Sequence, residues 1–235
     1  MVRTFLVCSL VMAGQAVASD VAFIKVPGVF DYNTPEAPYN KLLKELQSSM
    51  TVEGRFLPSA RANKLLINKK FECIFPILPP KSRDFPTILS EPINGLKAYA
   101  FTLAGKPKVS GLSDLRGKTV VYLRGYLFGG LLEQNPDIHF FPVSDQEAAL
   151  GVLKKGRADA YLDYIPDLRL ALSEEGYGLL KYDIKKPIIE DHDRIECIDN
   201  PNTRKFIDDI NERLSALKAS GKLQELLGKY FVATD

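Results

Sequence analysis

Arginine, aspartate and tyrosine beside glycine and proline are the residues of this sequence with the most chemistry to offer. Arg83 follows Pro79-Pro80-Lys81-Ser82, and Arg124 precedes Gly125-Tyr126. A guanidinium is a planar fork suited to two parallel bonds with a carboxylate, which a lysine ammonium cannot reproduce. Asp159 and Asp163 lie in the run from Gly156 to Tyr164, where an aspartate at a strand end can cap a helix or meet a ligand. The two histidines, His139 in a predicted strand and His192 in the charged run Glu190-Asp191-His192-Asp193, are far apart in sequence. A solvated acidic loop is the expectation there, not a metal site. There is no G-x-S-x-G elbow, no H-E-x-x-H, no C-x-x-C and no phosphate-cradling glycine loop. No catalytic residue, metal or cofactor is therefore expected, and binding is expected over enzymatic turnover.

The elements that must position these residues alternate. Strands are predicted at 21–26, 52–57, 71–75, 96–103, 119–123, 138–141, 158–163, 179–184 and 194–198. Between them, Tyr39, Leu42, Leu43, Leu46 and Met50 keep helical spacing, as do Ala62, Leu65 and Leu66 in a helix capped by Ser59 that carries Arg61. Ser144-Asp145-Gln146-Glu147 reads as a capping box opening a helix to Lys155-Gly156. Phe206, Ile207, Ile210, Leu214 and Leu217 mark a long amphipathic helix, and Leu223 to Tyr230 a last short one. Strand and helix in alternation argue for an α/β protein with mostly parallel sheets, and no linker divides it into separate beads.

Residues 1–18 stand apart: Arg3, an apolar run from Phe5 to Ala13, then Ala16-Val17-Ala18 before Ser19. This reads as a signal peptide cleaved after Ala18, its core about half the roughly 20 residues a membrane span needs. The mature chain is then expected in the periplasm, in an oxidising compartment. Of three cysteines, Cys73 and Cys197 remain after cleavage, and an even pair in an exported chain points to a disulfide. Thirty-one basic side chains, less Arg3, face 29 acidic ones, so no basic excess recommends nucleic acid as a partner.

Three stretches in order, Gly111 to Gly125, Ala148 to Ala160 and Ile210 to Leu223, resemble the extracellular solute-binding protein family 3, the polar amino-acid receptors of ABC importers. The resemblance implies a two-lobed periplasmic-binding-protein-like fold of type II, each lobe a mixed, mostly parallel sheet flanked by helices, joined by two crossing strands. Lobe 1 would be 19–103 with 188–235, lobe 2 would be 104–187, and hinge closure would trap a ligand in the cleft. It also implies that the strands of Cys73 and Cys197 are neighbours. By position, Arg83 matches the family's carboxylate-binding arginine, although Pro79-Pro80 replaces the usual hydroxyls. Arg124-Gly125-Tyr126 matches the lobe 2 turn, where backbone donors suit an anion. Asp163 stands near the family's ammonium partner, Phe30 and Tyr32 where an aromatic ring meets the ligand, and Arg61 at the cleft. The expected partners are a small carboxylate or amino-acid ligand and an inner-membrane ABC permease, with the receptor a monomer. A cyclohexadienyl-dehydratase-like enzyme and a soluble sensor for a membrane kinase are the alternatives on the same scaffold.

Overall fold

The computed structural model describes residues 19–48 and 50–234; the expected signal peptide lies outside them. In chain order the elements are β1 (Ser19–Ile24), α1 (Pro38–Gln47), β2 (Val52–Leu57), α2 (Ser59–Ile67), β3 (Cys73–Ile77), β4 (Thr87–Leu89), β5 (Asn94–Leu103) and β6 (Thr119–Leu123). There follow α3 (Leu131–Gln134), β7 (His139–Val143), α4 (Gln146–Lys154), β8 (Ala160–Tyr164), α5 (Ile165–Ala171), α6 (Glu174–Gly178) and β9 (Leu180–Lys181). The chain then forms β10 (Ile189–Ile198), α7 (Pro201–Ala219) and α8 (Lys222–Leu227).

The strands run in the order β2-β1-β3-β10-β5-β8-β6-β7, with β4 on β10 and β9 on β5. Pairs at both ends of this path are parallel, β1 with β2 and β3, and β6 with β7 and β8. Every antiparallel pair involves β5 or β10. Strand β10 changes partners along its length: Ile189–Asp193 pairs with β5, whereas Arg194–Ile198 pairs with β3 and β4. The expected acidic loop at 190–193 is thus part of this strand. Its side chains pass from exposed Glu190 and Asp191 to buried Asp193, Ile195, Glu196 and Cys197 as the strand enters the interior.

Apolar side chains gather on either side of that crossing. One core joins β1, β3, α1, α7 and α8, with Phe23, Phe30, Phe56, Phe75 and Tyr39 in mutual ring contact. Two more lie on opposite faces of β6 and β8, one around Leu96, Val120 and Leu162, the other around Phe101, Val121, Leu150 and Tyr161. The stripe Tyr39, Leu42 and Leu46 explains α1, whose Pro38 starts the helix where its missing N–H costs nothing. Helix α7 opens on a reciprocal box between Asn200 and Thr203, satisfying donors the helix itself leaves unpaired.

Two local expectations shift. Asp145, not Ser144, caps α4 by accepting from the Ala148 N–H, while the Ser144 hydroxyl donates to Asp145. Ser59 is inside α2 and makes no cap; its hydroxyl is used elsewhere, as shown below. Cys73 and Cys197 face each other in register across β3 and β10 with Cα atoms 4.0 Å apart, and a disulfide joins them.

Candidate functional site

Where the β1–β3 side of the molecule meets the β6–β8 side there is a cavity of about 60 Å³. Its walls come from both: Ile24, Val26, Ser59, Asn63, Pro76, Ile77 and Leu78 from one, Gly125 to Phe128, Tyr164 and Asp167 from the other, with Leu96 and Asp193 from the crossing strands and Tyr230 from the end of the chain. The backbone turns sharply at Gly125, φ +92°, to reach α2; a Cβ there would lie 2.2 Å from the Ala60 nitrogen. Only glycine permits that approach. It brings the Gly125 carbonyl within 2.7 Å of the Ser59 hydroxyl, with the Asn63 amide at 3.5 Å.

Two carboxylates line the cavity, Asp167 and Asp193, and no Lys, Arg or His does. Asp167, in the first turn of α5, accepts from the Tyr126 hydroxyl at 3.0 Å and the Tyr230 hydroxyl at 3.2 Å. The second of these bonds crosses between the two sides. Asp193 accepts from the buried Tyr39 hydroxyl and, at 2.9 Å, from the Asn94 backbone N–H. Burial holds the Asp167 carboxyl up at about 6 against the hydrogen bonds from Tyr126 and Tyr230. Burial likewise raises Asp193 to about 7, and the charge of Asp167 adds to the effect. Tyr126, Tyr164 and Tyr230 are all pushed well above the usual phenol value, by burial first and by the carboxylates next. Arg194, one residue along β10, donates its guanidinium to the Ser90 carbonyl at 2.7 Å.

Of the residues singled out in the sequence, Gly125 and Tyr126 line the cavity and the others do not. Arg83 spends its fork internally: Nε and Nη2 reach the two oxygens of Glu196 at 2.9 and 2.5 Å, and Nη2 reaches Asn63 at 3.3 Å. The pair is withdrawn from water, with side chains 8% and 1% exposed. Asp163, within β8, is completely buried and accepts from the Tyr161 hydroxyl and the Tyr164 N–H. Phe30 is a core ring, fully buried among Phe23, Phe56 and Phe75. Tyr32 is 66% exposed with the Lys25 ammonium 5.2 Å over its ring. Arg61 and Arg124 are exposed, and at the turn after β6 it is the Gly125 carbonyl that is engaged, as an acceptor. His139 and His192 are not brought together into a cluster with acids or thiols, and no group of three such ligands occurs among the described residues.

The residues missed are Ser59, Asn63, Tyr164, Asp167, Asp193 and Tyr230. A signal for two of them exists: Ser59 and Asn63 share the apolar stripe of Ala62 and Leu66, and a polar residue on a buried stripe needs a partner.

No family model matches the chain, and no curated protein matches it. Solved structures do. The GluR0 ligand-binding core of Nostoc punctiforme, in complex with L-glutamate, is similar at 21% identity and TM-score 0.72, covering 91% of this chain and 99% of that one. A histidine kinase sensor domain with similarity to periplasmic binding proteins is similar at 18% identity and TM-score 0.73, covering 92% and 96%. An arginine third-transport-system periplasmic binding protein of Legionella pneumophila is similar at 19% identity and TM-score 0.71, covering 92% and 100%. At such identities the likeness speaks for the fold alone. The chain has the α/β fold of periplasmic-binding-protein-like structures, a mixed sheet flanked by helices.

Proposed function

We propose that this protein is a periplasmic solute receptor whose two lobes, 19–103 with 188–235 and 104–187, close on a small molecule at the cavity between them. Delivery to an inner-membrane ABC permease follows as its role, and no turnover is assigned. The observation that carries this reading is that the cavity wall is shared, with Ser59 to Gly125 and Tyr230 to Asp167 bonded across it. A cavity of about 60 Å³ is far below the roughly 300 Å³ or more of open ligand pockets, so admission requires the sides to part. Both crossing strands run through the site, β5 through Leu96 and β10 through Asp193, which suits a hinge at that level. Proteins named in their titles as amino-acid transport or binding components have the same fold, and one is named a histidine kinase sensor domain. That last likeness supports a second reading, in which the closed form is handed to a membrane kinase.

The test is a panel of amino acids, dicarboxylates and amines against the melting temperature. A compound present at 100 times its Kd adds about 2.7 kcal/mol to stability, a rise of several degrees for a chain of this size. Small-angle scattering should then show contraction with the same compound. A panel that moves neither quantity overturns the receptor reading.

A further inference from the structure

The two buried charged sites next to each other on β10 differ in one respect that bears on the ligand. At the position where the family resemblance anticipates a carboxylate-binding arginine, Arg83 already holds a carboxylate, that of Glu196, in a two-pronged bond. That edge of the guanidinium is spent, the side chain is withdrawn from water, and Arg83 is not among the residues that line the cavity. At the cavity itself the situation is reversed, since Asp167 and Asp193 present negative charge and no basic side chain lines the wall. We propose that the ligand is a small organic ammonium compound that lacks a carboxylate of its own, held at the cavity by Asp167 and Asp193. This inference rests on the receptor reading and narrows its ligand class.

Hydrogen-bond capacity supports it. A carboxylate has about four lone-pair positions, and each of these two accepts two donors: Tyr126 and Tyr230 for Asp167, Tyr39 and the Asn94 N–H for Asp193. Among the described residues two positions on each are left for N–H donors, and a primary ammonium brings three. The aromatic wall fits the same guest. Phe128 stacks on Tyr164 at 5.3 Å, and Tyr126 lies 5.8 Å from both, so ring faces that attract cations stand beside the carboxylates. Val26, Leu78, Leu96 and Leu127 leave the rest of the wall apolar, which suits an alkyl or arylalkyl chain and not a second charge. The need for a cation also follows from the cost of the site, because two buried carboxylates without a counter-ion are each discouraged from ionising.

A binding cation would pull both groups into the ionised form and release protons, so affinity should grow as pH rises through the range about 6 to 7 where they titrate. The groups that face them are Tyr126, Tyr230, Asp163 and Tyr164 around Asp167, and Tyr39, Arg194 and Asp167 around Asp193. The phenols, all raised above their usual value, stay protonated throughout that range.

The experiment is calorimetry and thermal shift of the whole chain with propylamine, butylamine and phenethylamine, each beside its carboxylate counterpart and an amino acid of similar size. Expected is a response to at least one amine, none to the carboxylates, affinity that rises on the order of a hundredfold from pH 5.5 to pH 7.5 as both groups ionise, and net proton release on binding. Asp167→Asn should weaken amine binding about ten- to a hundredfold, the range a charge-assisted hydrogen bond carries. Each variant is read against its own ligand-free melting point, and Asp193→Asn serves as the second variant. Binding of carboxylates or amino acids with no response to amines overturns the inference and leaves the receptor reading standing. No response to any class overturns both.

Discussion

Arg83 with Glu196 and Asp167 with Asp193 are both withdrawn from water, yet only the first pair contains its own counter-charge. The difference teaches what each is for. A buried ion pair with both forks satisfied is finished, holding α2, the loop before β4 and β10 together through Asn63 and Glu196. Two buried carboxylates met only by hydroxyls and a backbone N–H are unfinished, and their cost is reduced by protonation until something cationic arrives.

The largest effect should come from the covalent neighbour of the paired site, the bridge of Cys197 beside Glu196. With the cysteines 124 positions apart in sequence, the loop-entropy model assigns it about 4 to 5 kcal/mol. Cys73→Ala with Cys197→Ala should therefore lower the melting temperature by about 10 to 20 °C, while leaving the pH slope described next intact. Slightly smaller is Glu196→Ala, which strands the Arg83 charge at a cost of about 3–5 kcal/mol. Arg83→Met combined with Glu196→Leu should recover most of that loss. A double variant no more stable than Glu196→Ala would show that the pair contributes more than mutual neutralisation.

The unfinished site should behave in the opposite way. Asp193 titrates at about 7 when folded and at about 4 when unfolded. Between those values the folded state holds a proton that the unfolded state has lost, so stability is fully present near pH 4 and declines as pH rises to about 7. Asp167, at about 6, adds to the same slope. Asp193→Asn should flatten the slope and raise the melting temperature at pH 8, on the order of 1–3 kcal/mol, since one pKa unit is about 1.4 kcal/mol. A ligand-free protein that melts higher at pH 8 than at pH 5.5 would mean that the carboxylates are not buried as described. The smallest effect is expected at Gly125→Ala. Its positive φ and the nearness of Ala60 predict a loss of at least about 1 kcal/mol together with a more open ligand-free form in scattering.

The sequence carried the fold in its alternation and the bridge in its cysteine count, because both are local or compositional signals. The site was legible only in part. Gly125 and Tyr126, expected from the family resemblance at the turn after a strand, do line the cavity. Arg83 was expected to hold a ligand carboxylate, whereas it is paired with Glu196, 113 residues further on, and no pattern in the intervening chain announces that pairing. Asp193 hid in a charged run that looked like a solvated loop, although β10 extends through it and carries the chain from exposed Asp191 to buried Asp193. Asp163 drew attention in place of Asp167 because the family resemblance looks for a carboxylate a few residues beyond Asp159. Only the switch from β8 to α5 at Tyr164 decides which of them faces the cavity.

The position of β10 in the sheet order has one more consequence, in the timing of synthesis. Strands β1, β2 and β3 can pair as soon as residue 77 is available, but the far edge of β3 belongs to a strand that the ribosome makes last. At about 5–20 residues per second, the 124 positions from Cys73 to Cys197 take roughly 6 to 25 seconds. Through that interval a nascent chain presents an open strand edge with a free thiol at its start, the combination most prone to pairing with the wrong neighbour. Chains cut short before Cys197 should therefore appear as mixed-disulfide aggregates, whereas chains that include it close from both sides at once.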